Sequence, residues 1–357
     1  MKKRIALILA TVLVVLVLLF VAQRVLMPKY VSTAQDGRLI AEYYDSAKNH
    51  DVIFVGDCEV YENISPVTLW EEYGISSYIR GSPQQLIWHS YYLMEETLKY
   101  EKPKAFVFNV LSMKYGEPQS ESYNRLVLDG MKWSKSKSDA IKASMTEEEE
   151  YITYLFPLLR FHDRWSEITA EDFKYVFQDV PQLSINGYLM RIDVDGVEEL
   201  RKGQVGLDTP IADICWDYLD KMRTLCEENG VELILMKAPT NTPKWYWYES
   251  WDMAVEAYAE RNNLRYYNFL NNIDEIGLDY TTDTYDQGGH LNLSGAEKLS
   301  KYFGRIMVDE LNLTDHRGDS TYEQTWTTLC AQYEQIRKTQ EKLLEENGKL
   351  EGFTGLE

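Results

Sequence analysis

The chain has 357 residues, of which 45% are hydrophobic, 13% aromatic and 26% charged. That is ample apolar content for a sizeable core and excludes wholesale disorder. Asp and Glu number 57 against 37 Lys and Arg, a formal charge of −20, which repels phosphate backbones, so no nucleic acid partner is expected, nor a soluble domain lying flat on anionic lipid.

The N-terminus reads Met-Lys-Lys-Arg and then runs from Ile5 to Ala22 without a charge. At 1.5 Å per residue this stretch makes a helix of roughly 27 Å, just enough to cross a bilayer core. The exit Phe20-Val21-Ala22-Gln23-Arg24-Val25 is a poor cleavage site, and no Cys follows for lipid attachment. An uncleaved signal anchor is therefore favoured over a cleaved signal peptide. Lys2, Lys3 and Arg4 before the span, against Arg24 and Lys29 after it, put the N-terminus inside and the body outside the cell membrane. Four cysteines are too few for a disulfide scaffold. Cys215 and Cys226 share one predicted helix at a separation of roughly 16 Å, too far to bridge, so free thiols are expected.

Beyond a short stalk, residues 37–49 read as a helix. Asp51 to Gly56 is a short apolar run ended by Gly, the pattern of a fully buried parallel strand. A short helix over 63–70, with Pro66 near its start, a weak strand at 76–79 and a helix over 83–99 follow. Ala105 to Leu111 is a second clear buried strand. Residues 113–205 break the rhythm with Glu- and Lys-rich helical stretches and read as an insertion over the core. The alternation returns with helix 208–229, closed by Asn229-Gly230, strand 231–236, helix 248–263, strand 264–269 and helix 293–312. A charged helix over 320–346 carries a sparse apolar stripe of Leu329, Tyr333, Ile336 and Leu343–Leu344, and packs on the body or mediates a weak contact. The organisation expected is a tip, signal anchor and start of stalk over 1–29, an α/β domain over 30–312 with its insertion, and a helical tail over 313–357. Buried strands alternating with helices mean an α/β fold on a parallel sheet, whose ligands bind at the carboxyl ends of the strands. The loops to read are then 56–62, 80–85, 109–117, 237–247 and 281–292.

The first of these is Gly56-Asp57-Cys58-Glu59-Val60-Tyr61. Gly allows a sharp turn after the strand, and Cys58, two residues on, is either presented as a nucleophile or packs as a small apolar side chain. The last is Asp283-Thr284-Tyr285-Asp286-Gln287-Gly288-Gly289-His290. A His preceded by carboxylates and a Gly pair suits a general base held by an acid, although a lone loop His is often only a surface residue. With no second His or Cys at regular spacing, zinc is not expected, and no cofactor is called for. Gly81 can offer its N–H to an oxyanion, or belong to a plain turn. Asn109, at the end of its strand, could donate a side-chain N–H to the same oxygen. Lys237, Thr240 and Asn241 sit on the active edge, where they touch substrate or are solvated. Arg160, His162 and Arg164 in the insertion could meet an anionic substrate.

These pieces in this order resemble the SGNH/GDSL hydrolase superfamily over residues 50–312. That family places a nucleophile after strand 1 within Gly-Asp-Ser, an oxyanion Gly after strand 2 and a late Asp-x-x-His. Here the counterparts are Gly56-Asp57-Cys58, Gly81 and Asp286-Gln287-Gly288-Gly289-His290. Cys replaces Ser, and the acid lies four residues before the His rather than three, which leaves Asp283 as an alternative to Asp286. The N-terminal anchor, the turn Gly56-Asp57-Cys58-Glu59 and the loop Gly81 to Gln85 are most similar to membrane-anchored extracellular members of Gram-positive bacteria, such as the D-alanine transfer proteins of lipoteichoic acid synthesis. Ser65 to Ile75 looks like a stretch common in clostridial relatives. The resemblance implies a three-layer, flavodoxin-like sandwich on a five-stranded parallel sheet. It also implies esterase or acyltransferase work on acyl esters of cell-wall and cell-surface glycopolymers, beside a membrane-bound O-acyltransferase. Cys58, His290 and Asp286 take the catalytic roles on this view, with Cys58, Gly81 and Asn109 as oxyanion donors and Lys237, Asn241 and Arg160 toward substrate. The alternative is a degenerate, noncatalytic member that binds a surface polymer or scaffolds the acyltransferase.

Overall fold

The computed structural model describes residues 1–28, 37–174, 176, 182–199, 210–240 and 248–355. In chain order, helix α1 (Lys2–Leu26) is followed by α2 (Arg38–Glu42), strand β1 (Val52–Gly56), α3 (Cys58–Tyr61), α4 (Pro66–Tyr73), β2 (Ser77–Gly81), α5 (Ile87–Thr97) and β3 (Ala105–Asn109). The long β3–β4 connection holds α6 (Glu121–Leu128), α7 (Lys135–Ser144), α8 (Tyr151–Leu155), α9 (Leu158–Phe161) and α10 (Ala170–Lys174). Then come α11 (Asp213–Asn229), β4 (Glu232–Lys237), α12 (Tyr248–Arg261), β5 (Arg265–Asn268), α13 (Ile273–Ile276), α14 (Leu293–Leu311) and α15 (Ser320–Asn347). The five strands form one sheet in the order β2-β1-β3-β4-β5, and every pairing is parallel. This is the doubly wound order of the flavodoxin type.

The central strands β1, β3 and β4 read as nearly continuous apolar runs because both faces of the sheet are covered there. Val52 and Phe54 of β1 join one core with Val107, Ile234, Leu69 of α4 and Phe303 of α14. Their neighbours Ile53 and Val55 join the other with Phe106, Leu235, Trp88 of α5 and Leu219 of α11. The alternation is the pleat itself, with successive side chains on opposite faces. A third, smaller cluster sets Val127, Leu128, Ile141 and Tyr154 of α6–α8 against Leu93 of α5 and Ile40 of α2. Among the described residues the 113–205 region adds no strand to the sheet, as the sequence pattern predicts. It does cover an edge: Ile79 N–H of β2 donates to Asn186 O at 2.9 Å, and Asn186 Nδ2 to Ser77 O at 3.1 Å.

Several helices differ from their sequence reading: the one expected over 63–70 runs from Pro66 to Tyr73, and the one expected from 208 starts at Asp213. The helix expected over 37–49 stops at Glu42 and tightens into a 3₁₀ turn ending at Asp45. The helix expected from 83 begins at Ile87, because Gln84 sits at φ +48° and Gln85 N–H closes a turn on Ser82 O. The charged C-terminal helix packs on the body. Trp326 stacks on Trp70 with ring centroids 4.7 Å apart, and Gln340 bonds both Met190 O and Ile192 N–H. Helix α1 is long and apolar enough to span a membrane. It is exposed through Phe20, and partial cover begins at Val21. Its last turn is held by Arg164 Nη1 on Leu26 O (2.6 Å) and by Arg24 Nε on Val176 O (3.2 Å).

Candidate functional site

The turn after β1 is shaped by close approach. A β carbon on Gly56 would lie 2.9 Å from Asn109 Cβ, so only Gly lets β1 and β3 end side by side there. Asp57 then caps α3, its Oδ1 accepting from Glu59 N–H at 3.2 Å, which makes Cys58 the first residue of that helix. Cys58 is partly exposed, whereas Glu59 beneath it is fully buried. Glu59 Oε1 accepts from Lys237 Nζ (2.7 Å) and Thr240 Oγ1 (3.0 Å), and its Oε2 from Asn109 Nδ2 (3.0 Å). A buried carboxylate so placed needs a paired cation and filled lone pairs, and it has both.

The late loop folds back through two left-handed residues, Gln287 at φ +60° and Gly288 at φ +89°. Asp286 thereby accepts from His290 N–H at Oδ1 (2.7 Å) and pairs with His290 Nδ1 at Oδ2 (2.6 Å). A β carbon on Gly289 would stand 2.7 Å from Asp286 Oδ2, so a side chain there would push on the carboxylate that holds His290. With Nδ1 committed to Asp286, Nε2 is left buried without a hydrogen bond of good geometry. The Cys58 thiol is its close neighbour, near enough for each group to shift the protonation of the other. Asn63, just past α3, ties the two halves together: its Oδ1 accepts from Leu291 N–H at 2.8 Å and its Nδ2 donates to Thr240 Oγ1 at 3.2 Å.

The sequence reading missed Glu59, Asn63 and Glu62. Glu62 is buried beside His290 and hydrogen-bonds the Tyr285 hydroxyl, while the Tyr285 ring stacks on the imidazole at 5.9 Å between centroids. The signal was the spacing, because Glu62, the residue that closes α3, stands one helical turn after Cys58. Arg191 lies over the Tyr285 ring at 4.5 Å from its centroid and is paired with Asp193.

Several expected residues sit elsewhere. Lys237 does not face substrate: it is fully buried, and Glu59 Oε1, Ala238 O and Thr240 O use all three of its donors. Asn109 spends both side-chain N–H groups on Asp57 Oδ1 (3.1 Å) and Glu59 Oε2, so neither is left for an oxyanion. Asp283 bonds Asp279 N–H, Ser294 Oγ and Lys298 Nζ, which anchors the loop to α14 and leaves His290 to Asp286. Arg160 pairs with Glu121, Arg164 with Asp172 and Leu26 O, and exposed His162 bonds Leu159 O; these three belong to the surroundings of α1. Gly81 is in register with Gly56 at the carboxyl end of the sheet, against Val60 and Tyr61 of α3. Asn241 lies outside the described residues.

Burial pushes the Cys58 thiol up to about 11, against the pull of His290 and with the added repulsion of Asp57 and Glu62. For His290 burial works toward the neutral ring, but the charges of Glu62 and Cys58 and the Asp286 hydrogen bond outweigh it and hold the imidazole pKa well above 6.5. Glu62 itself is raised by burial, opposed by His290 and the Tyr285 hydroxyl. The arrangement therefore favours a cationic imidazolium between two carboxylates, next to a thiol whose proton it can exchange. Among the described residues no group of His, Cys, Asp and Glu is arranged to hold a metal ion. A cleft of about 400 Å³ lies elsewhere, between α2, β2 and α15, lined by Arg38, Glu42, Tyr78 and Gln332, and none of the residues around Cys58 borders it.

No family model and no curated protein matches this chain. Solved structures do, among them a GDSL-like lipase from Bacteroides thetaiotaomicron VPI-5482, 12% identical, with a TM-score of 0.35 over 77% of this chain and 98% of that one.

Proposed function

We propose that this chain is a membrane-anchored extracellular acyl-ester hydrolase or O-acyltransferase that works on cell-surface glycopolymers through a thioester on Cys58. The observation that supports it is the meeting of Cys58 with the His290–Asp286 pair at the carboxyl edge of the sheet, from segments far apart in the sequence. Loss of one proton from the Cys58–His290 pair gives a thiolate beside an imidazolium. The thiolate attacks the ester carbonyl, an S–C bond forms, and the alcohol leaves with the proton from His290. Water or an acceptor hydroxyl then gives His290 a proton and attacks the thioester, and the thiolate departs. Backbone N–H groups of Cys58 and Gly81 would receive the oxyanion. A lipid bilayer holds the chain through α1, and a membrane-bound O-acyltransferase would supply or receive the acyl group.

A p-nitrophenyl acetate assay on the full chain in detergent tests this. Cys58→Ala and His290→Ala should each reduce turnover at least about 100-fold, and Asp286→Asn less. Activity unchanged in Cys58→Ala would leave the second reading, a noncatalytic polymer-binding or scaffolding protein. Burial of the thiol beside Asp57 and Glu62, which opposes its ionisation, favours that reading.

A further inference from the structure

Large apolar side chains stand out from one part of the β3–β4 connection. Ile152, Leu155, Phe156, Leu159, Trp165 and Phe173 are each 41% to 73% exposed. Elsewhere in the described body the large exposed apolar residues are scattered one by one, as Tyr100, Trp133, Val194, Ile214 and Met253. Scattered residues need no explanation, but a cluster does. This cluster belongs to α8, α9, the 3₁₀ turn His162–Ser166 and α10, and the last three of these pack against the end of α1.

We infer that segment 151–174 is a seat in the interfacial layer of the bilayer that α1 crosses. This rests on the reading of α1 as an intact anchor. The levels agree: the charge-free run extends to Ala22, while cover by the body already begins at Val21. The connection therefore meets α1 within the last turn of its apolar stretch, at the boundary between hydrocarbon and headgroups. Trp and Phe with apolar neighbours are the residue types that settle at that depth. The attraction is apolar rather than ionic. Arg164 is committed to Asp172 and Leu26 O, Arg160 to Glu121, and the chain carries a net charge of −20, so zwitterionic phosphatidylcholine suffices as the partner surface.

The test uses the full chain in phosphatidylcholine nanodiscs, with Cys58 and Cys330 replaced by Ser and one bimane-labelled cysteine introduced at a time. Acyl chains are either plain or brominated. Labels at Phe156→Cys, Trp165→Cys and Phe173→Cys should lose emission roughly two-fold in brominated lipid, as expected for an interfacial depth, while Met253→Cys stays bright. Equal brightness at the three positions in both lipids overturns the seat. Leu13→Cys reports on α1 separately. Quenching there but not at the three sites leaves the anchor standing without the seat; quenching at the three but not at Leu13 leaves the seat and removes the anchor.

Discussion

His290 is held on one side by Asp286, stacked on Tyr285, and faced by the buried carboxyl of Glu62. Two negative groups keep a proton on the imidazole, and Glu62 and Asp57 also oppose ionisation of Cys58. Replacing Glu62 by Gln removes one negative charge, which lowers the pKa of both members of the pair. The pH midpoint of Cys58 alkylation by iodoacetamide should therefore move down, by about one unit. An unmoved midpoint would show that Glu62 is protonated and electrostatically silent. Cys215 and Cys226, buried and pushed up to about 12, should react far more slowly at every pH. Cys58, His290 and the acid were legible because turn chemistry marks them: Gly before the thiol, a Gly pair before the ring. Glu62 was marked only by its spacing of one helical turn from Cys58, a weaker signal, since nothing in a carboxylate's immediate neighbours says which side of a helix will be buried.

Elements meet around Glu59. Its carboxylate draws together α3, β3 through Asn109 and β4 through Lys237, all without exposure to water. Lys237→Met would strand that charge in the interior and should destabilise the fold by roughly 3–5 kcal/mol in chemical denaturation. Adding Glu59→Gln removes the stranded charge and should recover most of the loss. A double variant no better than the single would mean that the packing of the Lys237 stem, and not the charge pair, carries the effect. The central strands β1, β3 and β4 were readable as apolar runs with Gly56, Pro103 and Gly230 at their borders. The direction of Lys237 and Asn109 was not, because a polar residue at a strand's carboxyl end can point to solvent or under the next turn. Here an acid two residues past the Asp-capped Gly56 turn decided which.

The whole molecule is closed by α15, whose Trp326 lies flat on Trp70 and whose Tyr333 shares a hydrogen bond with Ser65, at the start of α4. Trp326→Ala should cost about 3–5 kcal/mol. Because α4 belongs to the main core, the loss should appear as one shifted transition; a separate early melting of the C-terminal helix would contradict this coupling. From sequence, the stripe on this helix could only be assigned to the body or to a weak external contact, since amphipathicity does not name a partner. One detail of the β3–β4 connection has a consequence for crowding. Asn186 occupies the outer hydrogen-bonding groups of β2 at Ile79 N–H and Ser77 O, where a second molecule would otherwise extend the sheet. On the proposed anchoring through α1, chains held in one plane would meet far more often than chains free in three dimensions, and a bare strand there would invite polymerisation edge to edge. The peptide at Asn186 would thus act as a chain terminator for assembly.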